Sequence, residues 1–263
     1  MAKLAILTIH GVGNTRTGYS AALKERLRRE LGARWSEVCF VEIDYQKHLR
    51  DNQTGLWERV RGGLRWIFIR KFLLFYFGDA TAVLYNSAEP DSIYRKTQET
   101  IREAAADALE LLEGPECPVI IIAQSLGCQI ISSYLWDAQR GRGIWADALG
   151  DARTDFLKLG TARYLLTTGC NIPLIVSGLH KVEPIDQPNP AFRWLNFYDL
   201  DDPLGWPLEH LYSYDRDLQV RPEDVTVNVG GVLRHWNPLS HSAYWTSASF
   251  IKLAGERLRE LLA

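Results

Sequence analysis

Apolar positions along the chain fall into two periods, and their alternation predicts a sheet wrapped by helices. Leu4 to Ile9 is a short run, apolar at almost every position, the pattern of a strand buried on both faces of a parallel sheet. Tyr19, Leu23, Leu27 and Leu31 then recur every four residues, which predicts an amphipathic helix with Ser20 as a cap candidate and Gly32 as its stop. Val38 to Tyr45 reads as a second strand. Ile93, Thr97, Ile101, Ala105, Ala108 and Leu112 line a long helix that Gly114-Pro115 ends. Val119 to Ala123 is the most apolar strand of the chain, and Leu126 to Ala138 after it has helical length and composition.

Tyr164 to Thr168 reads as a fourth strand. Leu174 to Ser177 competes with it, but the break Gly169-Cys170-Asn171-Ile172-Pro173 favours a loop there. Trp194 to Tyr198 and Val225 to Val229 read as strands five and six. From Ala243 to Leu262 the residues Tyr244, Ile251, Leu258 and Leu262 keep helical spacing. The expected fold is α/β: one doubly wound, mostly parallel six-stranded sheet with helices on both faces, a single domain over residues 1–263, without internal repeats.

Residues 46–90 do not fit this alternation. The segment is too long for a connection and sets Trp57, Trp66, Ile67, Phe68 and the run Phe72 to Phe77 among Arg59, Arg61, Arg65, Arg70 and Lys71. It reads as an insertion, with three roles open: a helical cap over a site, an interfacial helix in peripheral contact with a membrane through 57–77, or a helical pair buried on the core.

Composition narrows the classes. With 46% hydrophobic and 24% charged residues the chain is too apolar to be disordered. Thirty basic against 32 acidic residues leave a net charge of −2, which gives no general attraction to nucleic acid. Cys39, Cys117, Cys128 and Cys170 are widely spaced and form no CxxC, which fits a reducing, cytoplasmic setting. The apolar run at the N-terminus is too short for a signal peptide, and Leu64 to Phe77, interrupted by charge, falls short of the roughly 20 residues that cross a bilayer. No HExxH, calcium loop or paired-cysteine motif is present, so neither metal nor cofactor is implied.

The chemistry centres on Ala123-Gln124-Ser125-Leu126-Gly127, placed between an apolar strand and a helix. In a sharp strand-to-helix turn the serine backbone is strained, and the positions two before and two after must be small; Ala123 and Gly127 meet that need. Such a turn leaves the hydroxyl exposed at the helix N-terminus, where the Leu126 N–H and the helix dipole face a developing oxyanion. Cys128, one position further into the helix, would pack inward rather than act as a nucleophile.

This motif, in its strand-turn-helix setting, resembles the nucleophile elbow of the α/β-hydrolase family of serine esterases and lipases, including small bacterial lipases in which alanine replaces the first glycine of GxSxG. The resemblance covers the core from the first strand to the last helix. It leaves 46–90 unmatched, and Gln124 stands where many relatives carry histidine. It implies that the loop His10-Gly11-Val12-Gly13 is the oxyanion loop, with the Val12 N–H as second donor beside Leu126, Gly11 and Gly13 allowing close backbone approach, and His10 structural.

The family supplies its acid and base in the order Ser, Asp/Glu, His. The resemblance therefore points to Asp202 in Tyr198-Asp199-Leu200-Asp201-Asp202-Pro203, with Asp201 and Asp199 as alternatives, and to His241 before the closing helix, with His235 second; His210 comes too early. Ile172, Leu174 and Trp206 are candidates for a substrate pocket, although a large aromatic is more often core. The expected activity is hydrolysis of a carboxylic ester, lipid-like or otherwise apolar, by a Ser125-His241-Asp202 triad through an acyl-enzyme. A thioesterase, acyltransferase or amidase would use the same residues, and a non-catalytic membrane-surface or interaction module on this fold is the alternative from another class. The partner implied is a small-molecule ester or lipid. The oligomeric state is left open.

Overall fold

A computed structural model describes residues 1–12, 18–62, 67–84, 89, 91–148, 150–179, 182–211, 220–229, 241 and 243–263. Six strands, β1 (Leu4–Ile9), β2 (Val38–Ile43), β3 (Val119–Gln124), β4 (Ala162–Thr168), β5 (Arg193–Tyr198) and β6 (Glu223–Thr226), form one sheet in the order β2-β1-β3-β4-β5-β6. Every neighbouring pair is parallel. The strands are joined by α1 (Ala21–Leu31), α2 (Arg50–Val60), α3 (Ile67–Leu84), α4 (Ile93–Leu111), α5 (Leu126–Gln139), α6 (Ala152–Leu157) and α7 (Ile172–Val176), and α8 (Ala248–Leu262) follows β6.

The continuous apolar strands are explained by cover on both faces. Leu4 and Ile6 of β1 pack into one core with Leu23 and Leu27 of α1 and Phe250, Ala254 and Leu258 of α8. Ala5, Leu7 and Ile9, which point the other way, join a second core with Ile101 and Ala105 of α4 and Ile130 and Ile131 of α5. A side chain of this size contributes about 2 kcal/mol when fully buried, so neither face can be left wet.

The structure moves several boundaries. The sixth strand lies at Glu223–Thr226 rather than Val225 to Val229; it sits at the sheet edge, where partial exposure removes the unbroken apolar run. Leu174 to Ser177 is neither strand nor loop but falls largely within α7, which Pro173 opens at a position where its missing N–H costs nothing. The closing helix starts at Ala248, after a 3-10 turn at Tyr244–Thr246. Ser20 makes no side-chain cap on α1; its hydroxyl and N–H instead donate to Glu42 of β2. The short helix α6 carries no apolar stripe that sequence periodicity could register.

Residues 46–90 are mostly helical where described. Trp57, Phe75 and Tyr76 are buried, α2 packs against α3, and α3 against α4. The carboxylate of Asp79, fully buried, accepts hydrogen bonds from Gln46 and Gln53, which locks α3 to the entry of α2. Among the described residues no helix is long and apolar enough to cross a membrane.

Gly127 lets α5 start directly against the end of β1. A Cβ there would lie 2.6 Å from the His10 carbonyl oxygen and 2.8 Å from that of Ile9, both backbone atoms that cannot swing away. Gly127→Ala is expected to cost about 3 kcal/mol, read as a lowered urea midpoint at unchanged slope. A midpoint within experimental error of the parent would show that the junction yields.

Candidate active site

In the order β2-β1-β3 the direction of winding reverses between β1 and β3, and open α/β sheets bind ligands beyond the carboxyl ends of the strands at such a point. Both loops singled out by sequence lie there. Ser125 follows β3 with φ 52° and ψ −124°, one of two non-glycine residues with positive φ among those described. This backbone costs an L-residue about 1–3 kcal/mol and persists because the surroundings hold it. The Ser125 N–H donates to Thr168 O of β4 at 3.0 Å, and α5 starts at once. Gly11 presses against the turn: a Cβ on it would stand 2.5 Å from the Ser125 Cβ and 3.1 Å from its Oγ. The amides of Val12 and Leu126 take part in no backbone hydrogen bond between elements or loops among the described residues. Gly13 and His235 lie outside the described residues.

His10 is buried. Its ring stacks on Tyr45 and meets Tyr19 edge-on, while Nδ1 lies against the Gly11 carbonyl, which also accepts from the Tyr45 hydroxyl at 2.9 Å. Burial pushes its pKa down to about 4, so the ring is neutral. An unfolded histidine near 6.5 takes up a proton first, so stability is whole above about pH 6.5 and falls as pH drops toward 4, by up to about 3 kcal/mol. Chemical denaturation between pH 7 and pH 4.5 should therefore show a steeper loss in the parent than in His10→Phe. Equal slopes would remove His10 from the balance.

His241 Nδ1 lies 2.8 Å from Asp202 Oδ2. Asp202 is buried at the turn after β5, where the Tyr244 hydroxyl donates to Oδ2 at 2.8 Å and the Leu204 N–H to Oδ1 at 3.0 Å. Burial by itself would raise this carboxyl, yet the His241, Leu204 and Tyr244 hydrogen bonds hold it below its ordinary value. Burial and the adjacent carboxylate push the Tyr244 phenol far up, so it stays a donor. The His241 ring lies over Gly169, with φ 51°, where a Cβ would come within 3.0 Å of Nδ1. The Gln124 side chain donates to the His241 carbonyl at 2.8 Å, fastening the histidine to the residue before Ser125. Among the described residues His241 Nε2 has no hydrogen-bond partner, so it is not bonded to Ser125 Oγ.

The three aspartates divide. The Asp199 carboxylate accepts from the N–H groups of Asp201 and Val229 and shapes the turn, and Asp201 is exposed. Cys128 is fully buried, which pushes its thiol well above its usual value, so no thiolate competes with Ser125. The pocket candidates differ in exposure: Ile172 is packed into the core, while Leu174 and Trp206 are exposed, and the Trp206 backbone N–H donates to the Cys170 carbonyl at 2.9 Å.

Sequence reasoning missed the supports. Tyr244 stands three residues after His241, where a helical reading hid its hydrogen bond, and Gly169 registered only as a break. Gly205, against whose Cα the Asp202 carboxylate and Tyr244 hydroxyl both pack, carried no signal. Among the described residues no group of His, Cys, Asp or Glu is arranged to hold a metal ion. No protein-family model matches the chain, and no curated protein matches it.

Proposed function

We propose that this protein is a serine hydrolase of the α/β-hydrolase type that cleaves carboxylic esters. The observation that carries the reading is the strained serine at the β3–α5 turn, whose preceding residue Gln124 is hydrogen-bonded to a histidine with its Nδ1 held by a buried carboxylate. A strained backbone is kept where it is used, and here it lifts one hydroxyl to the helix N-terminus.

In this reading Ser125 Oγ attacks the ester carbonyl carbon while His241 Nε2 takes its proton. The absence of a hydrogen bond between them does not count against the step, since such contacts often tighten only with substrate bound. Negative charge builds on the carbonyl oxygen, toward the N–H groups of Val12 and Leu126. The imidazolium is stabilised by Asp202 and returns its proton to the departing alkoxide, leaving an acyl-serine. A water then attacks the acyl carbon, its proton passes through His241 to Ser125, and the carboxylic acid leaves. Thioesters, amides or an alcohol acceptor would meet the same groups, because the fold and these residues do not choose the leaving group.

The test is reaction with a fluorophosphonate, read by intact mass. A single adduct on the parent and none on Ser125→Ala is the expected result; a folded parent that takes no label would move the fold toward a binding role. Rates on esters sharing one alcohol and differing in acyl length test the apolar preference. They should rise with chain length, and a sharp preference for acetyl or charged acyl groups would reject it.

A further inference from the structure

A helix apolar around its whole circumference is ordinarily covered on all sides. The helix α3 is not. Its buried side, Phe75, Tyr76 and Asp79, faces the fold, but Phe77 is 61% exposed, Ile67 48% and Leu73 43%. Leu56 and Val60 of α2 are exposed as well, so the pair accounts for five of the eleven exposed large apolar side chains among the described residues. Between α2, α3 and the start of α4 runs an open groove of about 1230 Å³, lined by Trp57, Val60, Leu73, Leu74, Phe77 and Ile93.

The exposed charges interleaved with these side chains on α2 and α3 are mostly basic. Arg59, Arg61, Arg70 and Lys71 are all exposed, and Arg70 lines the groove itself. Against them, the exposed acid seen on α2 and α3 is Glu58, which Arg61 pairs at 2.6 Å; Asp79 is buried. Glu89 and Asp91 also line the groove, but in the link into α4 beyond the C-terminal end of α3, away in sequence from the basic stretch 59–71. This excess of cations around exposed Phe, Ile and Leu is notable in a chain whose net charge is −2.

We propose that the α2–α3 face docks on an anionic lipid bilayer, with Ile67, Leu73 and Phe77 entering the headgroup layer and Arg59, Arg70 and Lys71 meeting lipid phosphates and carboxylates. A bilayer surface fits better than a span, because no described helix is long and apolar enough to cross. A protein groove could take the apolar side chains but gives no reason for the exposed cations Arg59, Arg70 and Lys71 beside them. The inner side of the same helix connects to the candidate site: Asn171 Nδ2, two residues after the Gly169 beneath His241, donates to the Tyr76 hydroxyl of α3 at 3.0 Å. Docking would bring membrane-derived esters to the side of the sheet where Ser125 lies.

The inference does not depend on catalysis, so the experiment uses the full chain carrying Ser125→Ala. It is sedimented with vesicles of phosphatidylcholine alone and of phosphatidylcholine with added phosphatidylserine. Binding is expected to the anionic vesicles and to weaken as salt rises. Each basic residue near such a surface contributes about five-fold in partitioning, so the triple variant Arg59→Glu, Arg70→Glu, Lys71→Glu should lose more than about a hundred-fold. Phe77→Ser with Ile67→Ser should lose binding at unchanged charge, and Lys252→Glu on the exposed side of α8 should lose little. Thermal melts of all variants establish that they are folded. No sedimentation with anionic vesicles at low salt, or equal sedimentation of the charge-reversed variant, overturns the proposal. So does a dimer that Phe77→Ser disperses without any vesicle binding, which would assign the face to a second copy of this chain.

Discussion

Ser125→Ala is expected to lower ester turnover by about four orders of magnitude or more while leaving the unfolding midpoint almost unchanged. The two halves have separate causes. Alanine removes the one atom that can attack the carbonyl, so what remains is the positioning and oxyanion contribution. Alanine also carries the same Cβ as serine at φ 52°, so the strain of the turn stays as it was, and the lost hydroxyl makes no cap hydrogen bond to α5. Hydrolysis of a short p-nitrophenyl ester and a urea titration measure both. A variant that keeps the parent's rate would remove Ser125 from the mechanism. Ser125→Gly gives a companion test of the backbone argument: it should be equally inactive yet more stable by about 1 kcal/mol, the relieved strain less the entropy of glycine.

Asp202→Asn should lower kcat by about 10⁴-fold, with KM little changed. The site leaves an asparagine no good orientation. With its oxygen toward His241 and Tyr244, its amide NH2 confronts the Leu204 N–H, donor against donor. Turned over, the NH2 faces His241 Nδ1, which must become the acceptor. The ring proton then moves to Nε2, the atom required to accept from Ser125. Neither orientation supplies the negative charge that stabilises the imidazolium. Asp199→Asn separates this from general damage to the turn. Because its carboxylate is engaged by the Asp201 and Val229 N–H groups, that variant should lose stability while the pH dependence of kcat keeps its shape. If Asp199→Asn were the inactive variant and Asp202→Asn near normal, the acid would be assigned to Asp199.

The difference between these aspartates shows where sequence reading ends. Asp199, Asp201 and Asp202 are the same residue type within four positions, and any of them could follow a strand as a turn residue. The choice of Asp202 came from likeness to a family pattern, and the burial and partners that separate the three are set by Tyr244, Val229 and His241, all distant in the chain. The candidate pocket fared differently. Ile172 and Leu174 are alike in type and two positions apart, yet one turn of α7 buries the first and exposes the second, a distinction invisible until the segment is known to be helical. Edge strand β6 was misplaced for the opposite reason: with one side open, little apolar patterning is required of it.

What the sequence determined by itself was everything with a short period. Strands β1 and β3, and the centres of β4 and β5, had to be largely apolar because both faces are covered, and α1, α4 and α5 had to carry stripes because one face is. A small residue on either side of Ser125, at Ala123 and Gly127, was likewise demanded locally by the turn. Tertiary structure alone decided what faces what across long separations: Asp202 beside His241 at 39 residues, Gln124 beneath the same histidine at 117, and the outer side of α3 left open. The physical reason is that periodicity records how much of a side chain is buried, since burial is nearly non-directional. A hydrogen bond is an agreement about distance and angle between two particular atoms, and that agreement is fixed only when the sheet has brought their strands together.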